Sequence, residues 1–229
     1  MHATTSRGWP QERPKIAPLA RECRAAPARE ATALLRELEG VRWAVLDFET
    51  AAFLEPRVVE VGLVDQDGHV LVDELVDPGI PMAAEVVAIH GIEDSDVRGC
   101  AWWPEVQAKL AAALSEIDVV VAFSARFEAM CLDYNAALWG LPPLRPRFIC
   151  AQQIASGLVG LNEEGRWLSL RTACARVGIP HDRAHRAVED CRVTAQLLST
   201  LHPQAEHIPA QAPAPTTVVD QTTVSLHRR

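Results

Sequence analysis

A chain of 229 residues, 48% of them hydrophobic, suffices for one domain of ordinary size with tails and leaves little room for a second. A net charge of -8 excludes a broad basic face that would hold a phosphate backbone by general electrostatics. No stretch approaches the ~20 consecutive apolar residues of a membrane span and the N-terminus lacks the apolar segment of a signal peptide, so a cytoplasmic protein with no membrane partner is expected.

The charge is unevenly spread. Residues 41–202 hold 13 Lys+Arg against 23 Asp+Glu, whereas residues 1–40 hold 7 against 5. An acidic body that handles a polyanion needs cations at its site. The six cysteines (Cys23, Cys100, Cys131, Cys150, Cys174, Cys191) form no CxxC pair, which speaks against a zinc ribbon or a disulfide framework and for reduced core thiols.

In chain order, residues 1–27 mix Pro, Arg and Ala without periodicity, and AREATALLREL then reads as a short helix closed at Gly40. Residues 1–40 are therefore expected to be a weakly ordered, mildly basic extension carrying one short helix. The domain is expected over residues 41–202. Three strands open it, VRWAVLDF, RVVEVGLVD and HVLVDELV, the last two joined by a Gln66-Asp67-Gly68 hairpin turn. PEVQAKLAAALSEI then predicts a helix, DVVVAF a short buried strand and ARFEAMCLDYNAALWG another helix. After the Pro-rich turn LPPLRPR come helical stretches around CAQQIASGL and SLRTACARVG. A final helix begins near Ala187 and is expected to stop at Pro203. Residues 203–229 read as a disordered Pro/Thr/Gln-rich tail. The order β-β-β-α-β-α-(β)-α-α describes an α/β domain whose sheet starts antiparallel and continues through helical crossovers to parallel neighbours.

The first strand ends in DFET, so Asp47 and Glu49 project to the same side of an extended chain, roughly 7 Å apart. Like charges so placed repel, and either they are solvated at a strand terminus or something offsets the repulsion. Glu128 falls in the first turn of the helix after DVVVAF, where it can face the same sheet edge or simply favour the helix dipole. His185 and Asp190 are about 140° out of phase on a continuous helix and can meet only if His185 lies in a turn before it. The sequence GIPHDRAHRAVED, with Gly178 and Pro180 upstream, supports such a turn. A His beside several acids suggests acid/base work near neutral pH, although a structural His is the commoner case.

Taken together, DFET, FSARFEAMCLD and HRAVED, with VVEVGLV and IHGIEDSDV between the first two, resemble the DEDDh 3′-to-5′ exonucleases, the family of the proofreading epsilon subunit of bacterial DNA polymerase III. The resemblance covers about residues 41–200. It implies a ribonuclease H-like α/β fold, a mixed sheet flanked by helices. It also implies two divalent ions, Mg²⁺ with Mn²⁺ as substitute, held by Asp47, Glu49, Glu128 and Asp190, with His185 taking a proton from the attacking water. The implied reaction hydrolyses the terminal phosphodiester of single-stranded ends, DNA more than RNA, and releases nucleoside 5′-monophosphates. Thr50, Ala51 and His90 are implied to line the terminal nucleotide, with Ala52 beside them, and a DNA polymerase or repair complex is an implied partner. Phe53 and Trp103 offer base-stacking surfaces, with core packing as the competing role, and Arg126, Arg183 and Arg186 border the motifs as phosphate contacts or solvated surface.

The chain departs from the family at Phe123-Ser124-Ala125, where His-Asn-Ala is usual, at Glu128, where Asp is usual, and at Cys150, where many relatives have Asp. Two competing readings follow: a catalytically inactive nucleic-acid-binding or interaction module of the same fold, and a 3′-to-5′ exoribonuclease.

Overall fold

Alternation along the first strand sorts the molecule into two cores. In the computed structural model, which describes residues 27–181 and 185–206, strand β1 (Trp43–Thr50) is the centre of a five-stranded sheet. Its companions are β2 (Val58–Asp65), β3 (Val70–Leu75), β4 (Val119–Ala122) and β5 (Phe148–Cys150), in the order β3-β2-β1-β4-β5. Pairs β1–β2 and β2–β3 are antiparallel, while β1–β4 and β4–β5 are parallel, as expected. Gly68, at φ 89°, closes the expected hairpin, and Asp65 Oδ1 accepts from the amides of Asp67 and His69.

Ala44, Leu46 and Phe48 point to one face, where they pack with Val106 and Leu110 of α4 (Trp103–Leu114) and Cys131 and Leu132 of α5 (Ala125–Leu138). Val45 points to the other face. There it joins Leu35 of α1 (Ala28–Arg36), Ile154 of α6 (Ala151–Val159), Cys174 of α7 (Leu170–Arg176) and Leu197 of α8 (Ala187–Glu206). Because strand side chains alternate with period two, Asp47 and Glu49 share this second face. The helix expected before Gly40 is α1. It lies on α6 and α8, with Leu35 and Leu38 in their core. Residues 1–26 and 207–229, most of both expected tails, lie outside the described residues.

Two helices were not legible in the sequence, α2 (Ala84–His90) and α3 (Asp94–Val97). Both are too short for a clear helical period. Gly91, left-handed at φ 71°, ends α2, and a reciprocal Glu93/Asp96 capping box starts α3. Ile92 and Val97 between and beneath them pack on Ala51 and Val59, which fastens the chain leaving β1. The expected stop at Pro203 is corrected: α8 runs on to Glu206. Proline removes one amide donor. That loss falls in the last turns of a helix already anchored by buried Leu197, Leu198 and Leu201.

Helix α8 approaches the sheet closely at Gly62, paired with Asp47 in the β1–β2 register. A Cβ built on Gly62 would lie 2.5 Å from the Ala187 carbonyl carbon and 2.6 Å from Val188 N. The missing side chain therefore lets the start of α8 rest on the sheet beside Asp47. Gly62→Ala is expected to push α8 outward and to destabilise the fold by ~1–3 kcal/mol, the usual range for overpacking, measured as a lowered urea midpoint.

Candidate active site

β1 runs on to Thr50 past the end of its parallel neighbour β4, whose Val121 pairs with Val45, and the crevice beyond such carboxyl ends is where α/β sheets receive ligands. Asp47 and Glu49 reach this edge from β1. A register shift between Glu49 and Thr50 marks an irregularity that turns the strand end. Glu128 comes from the first turn of α5, directly after β4, and is only 2% exposed. It lines the same pocket as Asp47, and its Oε2 has no hydrogen-bond partner among the described residues. Asp190, 8% exposed, arrives on the first turn of α8.

His185 stands two residues before α8 in a left-handed conformation, φ 67°, rare for a side chain other than glycine. Its amide donates to both oxygens of Asp190, at 3.2 and 3.3 Å. The turn thus resolves the phase conflict between the two residues. Ligand atoms of Glu49, His185 and Asp190 lie within 4.8 Å of one another. Three chain segments therefore bring Asp47, Glu49, Glu128, His185 and Asp190 to the wall of one pocket of about 390 Å³.

By themselves these acids repel. Burial, then Glu128, Glu49 and Asp190, hold the Asp47 carboxyl well above the usual carboxylate range. Burial likewise pushes Glu128 well up, against the downward pull of its own backbone amide and Asp47. Glu49 is pushed up to about 8, by burial first and then by Asp190 and Glu60, with Arg186 pulling the other way. Ionised together, the buried carboxyls of Asp47 and Glu128 repel, so a proton or a cation between them lowers their energy.

Of the residues implied to touch substrate, Thr50 and His90 line the pocket. Both nitrogens of the buried His90 ring already face backbone: Nδ1 accepts from Ile92 N at 3.0 Å and Nε2 is 3.4 Å from the Thr50 carbonyl. Burial lowers its pKa, and its two contacts link the Thr50 carbonyl at the end of β1 to the Ile92 amide. Ala51 is fully buried in the small cluster with Val59 and Ile92 and is not on the pocket wall. Phe53 is 58% exposed at the pocket, whereas Trp103 is core, edge-on to Phe48. Arg186 is bound to Glu60, and Arg183 lies outside the described residues. Cys150 Sγ is 3.4 Å from the Phe123 carbonyl oxygen, at the start of α6.

Two residues at the site carry no sequence expectation. His181 Nε2 lies 2.8 Å from Asp190 Oδ1, a buried contact. Glu60, facing Glu49 across the strand pair, accepts from Arg186 and from the amide of Ala187. The signals were within quoted stretches, the His of GIPHDRAH and the Glu of VVEVGLV, but neither spacing says which side chain they meet.

Residues 44–198 match the exonuclease family denoted RNase_T. The exonuclease CP81 of Escherichia phage 186, itself uncharacterised, is 31% identical over 169 residues, covering 68% of this chain and 86% of the phage protein. A PolC-type DNA polymerase III of Thermotoga maritima is 32% identical over 160 residues, covering 67% of this chain but only 11% of the polymerase. Among solved structures, the nuclease domain of 3′hExo, a DEDDh family member bound to rAMP, superposes with a TM-score of 0.61 at 17% identity, covering 73% of this chain and 96% of that domain. That likeness is one of fold, a ribonuclease H-like mixed sheet. Motif order, sheet topology and the matched residues agree that this chain belongs to the exonuclease family, in its DEDDh, DnaQ-like branch.

Proposed function

We propose that this member of the exonuclease family is a divalent-cation-dependent enzyme that removes nucleoside 5′-monophosphates from single-stranded 3′ ends, DNA in preference to RNA. The observation that carries the reading is the convergence of four carboxyls from three separate segments on one pocket, with the exposed His185 at its edge. Buried acids held this close are unfavourable unless protons or cations join them, and Glu128 Oε2 has no hydrogen-bond partner among the described residues. The donor set is hard oxygen throughout, which fits Mg²⁺ and, as substitute, Mn²⁺, and four carboxyls fit two ions. When bound, such ions supply Lewis-acid stabilisation of the phosphodiester and neutralise the acids.

The chain's own groups divide the remaining work. Asp47, Glu49, Glu128 and Asp190 would hold the ions, their four carboxyls supplying the negative charge that such ions neutralise. His185, outside the helix and open to solvent, accepts the proton of the attacking water at a ring nitrogen. Thr50 and Phe53 border the space for the terminal nucleotide, Phe53 offering an exposed ring for a base to stack on. A pocket of about 390 Å³ holds roughly one nucleotide. The acidic surface outside it favours engagement of a strand terminus over a long tract of duplex. The relationship to a PolC-type polymerase supports a DNA polymerase or repair complex as partner.

Wild-type protein with Mg²⁺ or Mn²⁺ is expected to shorten 5′-labelled DNA oligonucleotides one nucleotide at a time and RNA more slowly. Chelator stops the reaction, and Asp47→Asn lowers the rate by about 10³-fold, several kcal/mol of lost transition-state stabilisation. Tight binding without shortening sinks the enzyme reading in favour of the inert module, and faster loss of RNA reverses the substrate preference. Glu128→Ala should cost about 10²-fold, and an unchanged rate removes its assigned role.

Proton linkage gives a second readout. Glu49 holds its proton more tightly folded than unfolded, so its favourable contribution is complete below about pH 4.5 and is lost as pH rises through about 8. Chelated protein should therefore melt at a lower temperature at pH 8.5 than at pH 6, and millimolar Mg²⁺ should shrink the difference. A melting temperature that rises over this interval in chelator contradicts the burial of these acids.

A further inference from the structure

Glu60 adds a fifth carboxyl to a neighbourhood already strained by four. Its charge raises both Asp47 and Glu49, so it works against the site electrostatically. It is 2% exposed on β2, paired with Glu49 in the strand register. Its oxygens are fully used. Oε1 accepts from Arg186 Nε at 2.9 Å and from a terminal guanidinium nitrogen of Arg186 at 2.7 Å, and Oε2 accepts from Ala187 N at 2.9 Å. The two residues it grips are the ones that directly follow His185.

His185 is held from the other side as well, by the bond from its own amide to the Asp190 carboxylate. A non-glycine residue in the left-handed region is strained and persists only where its surroundings dictate it. The conditions here are the Asp190 bond, the Glu60 grip on residues 186 and 187, and the contact of the α8 start with Gly62, two residues along β2 on the same face as Glu60. Ala187 N is also among the amides at the start of α8 that no carbonyl of the helix can satisfy, so Glu60 caps that end from a neighbouring strand.

We propose that Glu60 is a positioning residue: through Arg186 and the Ala187 amide it sets the strained turn that aims His185 and Asp190 at the pocket. This rests on the nuclease reading above for the consequence in catalysis, but the clamp itself is measurable without turnover. The test compares wild type with Glu60→Ala, Glu60→Gln, Arg186→Ala and the Glu60→Gln/Arg186→Ala pair. For a short single-stranded DNA oligonucleotide in saturating Mg²⁺, Glu60→Ala and Glu60→Gln should lower kcat by ~10–100-fold with KM within about threefold, the size expected when the support of an active-site group is lost. The double variant should lose much less than the product of its single losses, since both changes break one clamp. Amide hydrogen exchange at residues 185–190 should rise by about tenfold in Glu60→Ala, with β4 unchanged.

A purely structural role would lower the melting temperature yet leave kcat per folded molecule and the local exchange at wild-type values, and that result overturns the proposal. Multiplicative losses in the double variant overturn it too. Should Glu60→Ala fail to fold, Arg186→Ala carries the test, because its side chain is half exposed and its removal leaves Ala187 N bonded to Glu60. Should wild type lack cation-dependent turnover, the nuclease reading fails, while raised exchange at residues 185–190 would still establish the clamp.

Discussion

Like charge gathered in a poorly solvated pocket is the constraint from which the architecture of this site follows. Five carboxyls, Asp47, Glu49, Glu60, Glu128 and Asp190, lie within electrostatic reach of one another, and burial raises Asp47, Glu49 and Glu128 together. No element acting alone would collect them, since each would gain by pointing to water. What collects them is the hydrophobic burial of the elements that carry them. Val45 below Asp47, Cys131 beyond Glu128 and Cys191 beside Asp190 are all within the cores, so the acids are carried to the pocket by apolar neighbours one to three residues away.

The two-sided sheet makes this possible. β1 is covered on both faces, by α4 and α5 on one and by α1, α6 and α8 on the other. Asp47 and Glu49 lie on the α8 face, while Glu128 comes around the end of β4 from the other side. The site therefore sits where the two helical layers meet beyond the strand ends, and it needs both layers close to the sheet. Gly62 is the local concession to that need. Its backbone is where the α8 start touches down, and any side chain there would separate Asp190 from Asp47.

The sheet was legible because its signals are local. Apolar runs with period two gave β1, β2 and β3, and the Asp67-Gly68 turn paired two of them. The acids at strand ends and helix starts were legible for a similar reason: their place in the chain fixes their place on the sheet edge. His185 needed one more inference, a break in the helix, and Gly178 and Pro180 supplied it. Partnerships across long separations were not legible. Glu60 meets Ala187 127 residues away, and His181 meets Asp190 nine residues on. Nothing in the composition of either stretch names its partner. Helices α2 and α3 escaped for lack of length, and the passage of α8 beyond Pro203 because anchoring by distant core residues overrides one missing donor.

The longer side chain at Glu128, where the family usually has Asp, is accommodated by its position in α5. The Glu128 side chain is buried in the first turn of α5 and lines the pocket that Asp47 also lines. A carboxylate in a first helical turn is favoured by the free amides and the positive end of the dipole, which partly offsets its burial. Ser124 makes no side-chain cap, so it does not compete for those amides.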